Sequence, residues 1–273
     1  MNIPQTSYQM YFEPAILGMQ ALASELARKI SRIASGIIYY GRVVVQSRLY
    51  DNVCRMARSN KFTITVSGTT MSAGLMVTTI THGTAADGEV AAVTTTDVIS
   101  TAWVTNLAAT MIQHAANIAA ALGDCYSCVR AAAVITYIGD GEDVTAVATT
   151  FTGAGSGDDA SAVDAISSQD AGADILGISY LTHDRQQQID GTTYYMDKEP
   201  VNIMQGGTVW VYGEEALSPG DALYARLVNN STKYAGYIGK SSDSSKCVAF
   251  TGAKAMATIT AAGLVPVTVN LPQ

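Results

Sequence analysis

Apolar and polar residues alternate in short runs along most of the chain, and strong turn signals break those runs at close intervals. The densest such region is residues 174–227, DILGISYLTHDRQQQIDGTTYYMDKEPVNIMQGGTVWVYGEEALSPGDALYARL. Residues 175–181 are apolar and end in a polar segment, 182–188. Residues 201–204 alternate, Gly206-Gly207 is expected to turn the chain, and 208–212 alternate back. Ser218-Pro219-Gly220-Asp221 reads as a tight turn, because proline presets φ and glycine accepts the positive φ of a type II turn. Strands of about five or six residues at this turn spacing predict a mainly β protein, built on a small β-barrel or β-sandwich.

The same patterning divides the rest of the chain. Residues 1–29 read as an N-terminal arm leading into a short helix. Pro14 suits a first helical turn, and Ile16, Met19, Ala23, Leu26, Ile30 and Ile33 recur at helical spacing over 15–33. Residues 36–47, GIIYYGRVVVQS, are β-branched and aromatic, so they predict a strand kinked at Gly41. That strand has too few turns around it to fold alone, and it is expected to pair with strands after Asp174. The barrel core is therefore assigned to 30–58 plus 171–273, with residues 59–153 as an inserted α+β module. Within the insertion, 62–66 alternate and 71–79 are expected to return. A helix capped by Thr96 or Asp97 is expected to run to Leu122, and 129–138 and 144–150 to form strands around Gly139-Asp-Gly-Glu-Asp143. The Gly/Ser/Asp-rich stretch 154–170 reads as a linker back to the barrel.

Composition sharpens this picture. Of 273 residues, 14% are charged, well below the usual quarter, while 48% are hydrophobic. A neutral, hydroxyl-rich surface suits a protein packed into an assembly better than one that needs a solubilising charge coat. The net charge is −7, with 16 Lys+Arg against 23 Asp+Glu, so the positive footprint of a nucleic-acid binder is missing. The basic residues concentrate early, from Arg28 to Lys61, so the N-terminal segment is placed to face an acidic partner surface or to form a solvated face. No apolar run approaches the length of a membrane span, and the first 20 residues lack the layout of a signal peptide.

No catalytic, cofactor-binding or metal-binding residue emerges. Cys125-Tyr-Ser-Cys128 is a lone C-x-x-C without a second ligand pair, so Cys54, Cys125, Cys128 and Cys247 read as small buried thiols. Gly239-Lys240-Ser241 resembles the end of a phosphate-binding loop, but Tyr234 occupies the position that needs the first glycine. Gly153-Ala-Gly155-Ser-Gly157 has the wrong spacing for a dinucleotide fingerprint. Asp140-Gly-Glu142-Asp143 reads as an acidic hairpin tip, too short for an EF-hand. His82, His114 and His183 fall in separate elements, and His114 is expected at the boundary of the helix. His183-Asp184 has no nucleophile elbow to serve. Tyr39, Tyr40, Tyr194, Tyr195, Tyr212, Tyr224, Tyr234 and Tyr237 lie in the barrel segments, as interface area or as strand packing.

The order of the pieces resembles the bacteriophage structural cement family, the capsid decoration proteins. The residues that carry the likeness are AILGM (15–19), the GxxYGRVVV strand (36–45), ILGIS (175–179), YYMDKEPVNIMQGGTVWV (194–211), LSPGDALYARL (217–227) and a Tyr/Gly hairpin near 234–239. They cover the two ends of the chain, while the insertion looks like a variable module of other phage structural proteins. The resemblance implies a non-enzymatic virion protein that binds the major capsid protein, commonly as a homo-oligomer, a trimer, on the capsid exterior. It implies no cofactor, no nucleic acid and no membrane. A phage tail or adhesion component is a second reading, and a carbohydrate-binding β-protein a third.

Overall fold

The computed structural model describes residues 18–22, 27–68, 73–84, 93–123, 125–140, 143–153, 158–168, 170, 174–181, 194–230, 232–243 and 246–272. Residues 1–17 of the expected arm and the polar segment 182–188 with His183 lie outside them. Among the described residues the protein is mostly β, with a closed five-stranded barrel and one helix. The N-terminal strands are β1 (Gln20–Leu22), β2 (Arg28–Ala34), β3 (Ile38–Tyr39), β4 (Val43–Gln46) and β5 (Val53–Met56). The module then contributes β6 (Lys61–Ser67), β7 (Leu75–Thr84), β8 (Val93–Ala102), α1 (Leu107–Leu122), β9 (Cys125–Ala131), β10 (Val134–Gly139), β11 (Asp143–Thr152) and β12 (Ser161–Ser167). The chain returns through β13 (Ile175–Ser179), β14 (Tyr194–Tyr195), β15 (Pro200–Gly213), β16 (Ala222–Arg226), β17 (Ile238–Gly239), β18 (Cys247–Ala255) and β19 (Gly263–Asn270).

The barrel closes in the order β13-β4-β5-β2-β15, with β15 pairing back onto β13. Its interior draws on all five strands: Ala34, Val44, Cys54, Met56, Val201 and Ile203 are buried together, and Ile30 and Leu176 pack against them. Closure depends on Gly177, whose φ is +143° and where a Cβ would stand 2.2 Å from the Met204 carbonyl oxygen. Only glycine lets β13 approach β15 this closely. A second ring of pairings, β15-β17-β16-β18-β19, shares the far half of β15. So β15 is the common strand of both rings. The turn expected at Gly206-Gly207 is instead a bulge within this 14-residue strand. The bulge flips the buried set, so Val201 and Ile203 enter the barrel while Val209 and Val211 enter the larger cluster of the second ring.

The helix expected over 15–33 is replaced, where the chain is described, by β1 and β2. Both pair with β15. In β2 the even-numbered residues turn inward while Lys29, Ser31 and Ile33 are exposed. Ile30 and Ala34, four apart, fit either period, and the ladder offered by β15 decides between them. Residues 36–47 also break in two, because Gly41 (φ +70°) sits in a turn between β3 and β4. The expected pairing across the insertion holds: β4 joins β13.

The module holds a four-stranded sheet, β12-β6-β10-β9, and a three-stranded sheet, β11-β7-β8. One core of Phe62, Ile64, Met76, Ile80, Met111, Ile118 and Ile135 lies between the sheets and α1. Several expectations shift here. Residues 71–79 do not return beside β6, since β7 pairs with β8 and β11. The helix starts at Leu107, because β-branched residues 93–101 extend β8 and Asn106 supplies the cap, its side chain accepting from Ala109 N at 2.8 Å. Residues 129–138 fold as a hairpin turning at Ala132 (φ +50°). Where a linker is expected over 154–170, Ser161–Ser167 instead forms edge strand β12 on β6. The linker composition hides the alternation of Ala162, Asp164 and Ile166 on the more buried face.

Candidate functional site

Barrel and module meet at a buried charge cluster built around Arg55. Strand alternation puts Cys54 and Met56 inside the barrel, so Arg55 points out of it, into the joint. It is fully buried. Its Nε donates to Asp140 Oδ1 at 3.1 Å, its Nη1 to Asp170 Oδ2 at 3.0 Å and its Nη2 to Asp170 Oδ1 at 2.7 Å. Asp140 comes from the β10–β11 turn and Asp170 from the segment that returns to the barrel. One guanidinium thus ties the β10–β11 turn and the returning segment to β5.

Asp140 is satisfied further by Ser47 Oγ at 2.5 Å and the Arg48 amide at 2.9 Å. Burial works against its charge, but the Arg48 amide, the Ser47 hydroxyl and Arg55 outweigh burial and hold the carboxyl below its ordinary value. Burial likewise opposes the Arg55 charge, and the paired carboxylates raise its pKa above the ordinary value. Around the cluster the backbones are stitched together. Ser59 N donates to Asp143 Oδ1, Val144 N to Ser59 O, and Gly139 N to Asn60 O. Asp140 and Asp143 are therefore structural anchors, and the acidic motif is not a free hairpin tip. Among the described residues no three His, Cys, Asp or Glu side chains converge as metal ligands.

The other singled-out motifs have structural partners too. In Gly239-Lys240-Ser241 the amides of Lys240 and Ser241 both donate to Glu215 Oε1 at 2.7 Å, and Ser241 Oγ donates to Oε2 at 2.8 Å. The protein's own carboxylate fills the place a phosphate would need. His114 is not a boundary residue, since it is fully buried between Thr78 and Thr101. His82 pairs with Asp97 at 2.8 Å. The four cysteines are free thiols; Cys54 is buried and the others half-buried. Burial pushes the thiols of Cys54 and Cys128 up to about 12, which leaves them inert.

The tyrosines serve packing first. Tyr195 is fully buried and meets Tyr40 edge-on at 4.8 Å. Tyr212 stacks on Tyr237 at 4.5 Å, and the Arg42 guanidinium lies 3.8 Å from the Tyr237 ring centre. The early basic residues are also engaged internally, as in Arg28 Nη2 to the Leu271 carbonyl and Arg48 to Asp174 at 2.8 Å. Sequence reasoning missed the Arg55 cluster because its three members lie 115 residues apart along the chain at the widest. The available signal was an arginine inside an otherwise apolar strand run, Val53–Met56.

The central rows of the module's outward sheet faces carry no charge, and Lys61 lies at one end of the four-stranded face. Across the three-stranded sheet the rows are Ala148–Thr79–Val98 and Thr150–Val77–Ser100. Across the four-stranded sheet they are Val163–Thr65–Val134–Ala131 and Ala165–Thr63–Thr136–Val129. Val98 and Val163 are about two-thirds exposed, at 66% and 67%. Apolar and hydroxyl groups of this kind offer contact area at little desolvation cost.

A model of a family described as structural cement protein (E217 gp24/Pam3 gp6) matches residues 119–270, more than half of the 273. The match begins inside α1 and takes in β9 to β12 as well as the returning barrel strands, so it reaches further into the module than the likeness of the two ends. Among solved structures, a chain from the capsid of Myoviridae phage XM1 is similar at 11% identity and a TM-score of 0.43, over 99% of this chain and 98% of that one. No curated protein matches.

Proposed function

The chain belongs to the phage structural cement protein family, and on that footing we propose that it binds the outside of the phage head as a trimer and holds neighbouring capsomers together without catalysing a reaction. The family match is the observation that carries the reading. The fold supports it in three ways. The double-ring barrel offers a rigid base, the Arg55 cluster fixes the module on that base, and the charge-poor sheet faces offer contact area to protein neighbours. The barrel, 30–58 and 171–273, forms the trimer and meets the major capsid protein. The module projects from it. Each contact is modest, and simultaneous engagement of several capsid subunits adds them through effective concentration. A ligand that binds only the assembled shell stabilises that shell by mass action.

Purified protein is mixed with capsids that lack it, and co-sedimentation, rupture temperature and solution mass are measured. Saturable binding, a higher rupture temperature and a mass of three chains on or off the shell are expected. Folded protein that ignores capsids but binds purified tails would overturn the reading in favour of a tail component.

A further inference from the structure

A chain of side-chain hydrogen bonds crosses the module from α1 to β12. Asn117 Nδ2 donates to Thr101 Oγ1 at 2.8 Å. Thr101 Oγ1 meets His114 Nδ1 at 2.7 Å, and His114 Nε2 meets Thr78 Oγ1 at 2.7 Å. Thr78 Oγ1 meets Thr149 Oγ1 at 2.9 Å. Thr149 then donates twice to Asp164, from Oγ1 to Oδ1 at 3.0 Å and from the amide to Oδ2 at 2.6 Å. The links visit α1, β8, β7, β11 and β12, and the last one bridges the two sheets.

Proton counting fixes the direction. A carboxylate only accepts, and each hydroxyl has one proton to give. The Thr149 proton goes to Asp164, so the Thr78 proton goes to Thr149. His114 Nε2 must then carry the proton that reaches Thr78. Its Nδ1 is left to accept from Thr101, whose oxygen accepts from Asn117. The opposite tautomer commits the Thr78 proton to Nε2 and leaves the Thr78–Thr149 contact without a proton.

We propose that this chain is a directional latch, in which the Asp164 carboxylate sets the sense of every bond, holds His114 as the neutral Nε2–H tautomer, and ties α1 to the seam between the sheets. A second proton on the imidazole breaks the latch and opens the module while the barrel stays closed. That proton would sit on Nδ1, against Thr101, and orphan the Thr101 hydroxyl proton. Nothing near offsets the new charge. Helix α1 carries no charged residue. Among the described residues, the ionisable groups packed around the same core are Cys125, Cys128 and Tyr137, and Arg130, on β9 in register with core residue Ile135, is itself a cation. His82 and Asp97 pair with each other, and Asp164 lies two threonines away. Burial pushes the imidazole down to about 4. The barrel has its own separate core, so it need not follow.

The test uses the full chain with 15N-labelled histidine. Long-range 1H–15N spectra at neutral pH should show His114 with a pyrrole-type Nε2 and a pyridine-type Nδ1. In Asp164→Asn the new side-chain oxygen can take the Thr149 amide while its NH2 donates to the Thr149 hydroxyl. The chain then reverses, and His114 should switch to the Nδ1–H form. Wild-type Nδ1–H, or a folded Asp164→Asn protein that keeps Nε2–H, overturns the proposal. Should that variant fail to fold, acid titration of the wild type decides: module amides should lose dispersion before barrel amides, and simultaneous loss overturns the latch.

Discussion

Arg55→Met removes the guanidinium that joins barrel to module and keeps the length of the side chain. Three charge-assisted hydrogen bonds to carboxylates are lost, at 3.1, 3.0 and 2.7 Å. At about 1.5–3 kcal/mol each they sum to roughly 5–9 kcal/mol gross. Removing a buried cation returns several kcal/mol of desolvation cost, which offsets part of that sum. What remains is two buried carboxylates facing an apolar side chain. Asp140 keeps Ser47 and the Arg48 amide, whereas among the described residues Asp170 keeps a 3.3 Å contact from the Arg58 amide. The net loss is about 3–5 kcal/mol, the usual cost of breaking a buried pair from one side.

The two tryptophans make the assay direct, since Trp103 follows β8 in the module and Trp210 lies in β15. Urea denaturation of single-tryptophan variants reports each unit separately. At neutral pH, where His114 is uncharged, the two transitions should coincide with Arg55 in place. With Arg55→Met both midpoints should fall, and the transitions should separate. Adding Asp140→Asn and Asp170→Asn should recover part of the loss, because the unpaired charges are then gone. A loss below about 1 kcal/mol, with transitions still coincident, would refute the clamp; surface ion pairs have values of that size.

Two further outcomes follow from single groups. The His114 imidazole titrates at about 4 in the folded chain against 6.5 when free, so the unfolded state binds the proton first. Stability should fall by roughly 3 kcal/mol as pH drops from about 6.5 to 4 and level off below, by 1.36 kcal/mol per pKa unit; chemical denaturation at stepped pH, compared with His114→Gln, isolates it. Asp140, whose folded pKa is depressed, adds its own loss only as pH falls below about 3.8, so the two windows are separable. Asn106→Ala removes the cap on Ala109 N and should cost about 1 kcal/mol, read from the shift of the shared urea midpoint at neutral pH.

Much of this fold was legible before the structure. Alternation with close turn signals marked the strands. The extended run 36–47, stranded among few turns, pointed to a partner beyond Asp174, and β13 supplies it. The order of motifs at both ends led to the right family. Errors fell where two periods overlap or where composition masks alternation. Residues 28–34 satisfy helical and strand spacing alike, and 161–167 sit within a Gly/Ser/Asp-rich stretch. The Gly206-Gly207 pair reads locally as a turn, yet β2 and β19 hold it as a bulge.

The sequence by itself determined what each short stretch can become, because φ/ψ preference and period are local properties. It also determined that the surface is poor in charge. Only the tertiary structure decided which strands share a ladder, since a strand's hydrogen bonds are satisfied by residues far along the chain. It alone brought Arg55 to Asp140 and Asp170, and His114 to Thr78 and Thr101. Buried polar groups select their partners by geometry at a few ångströms, and separation along the chain carries no trace of that distance.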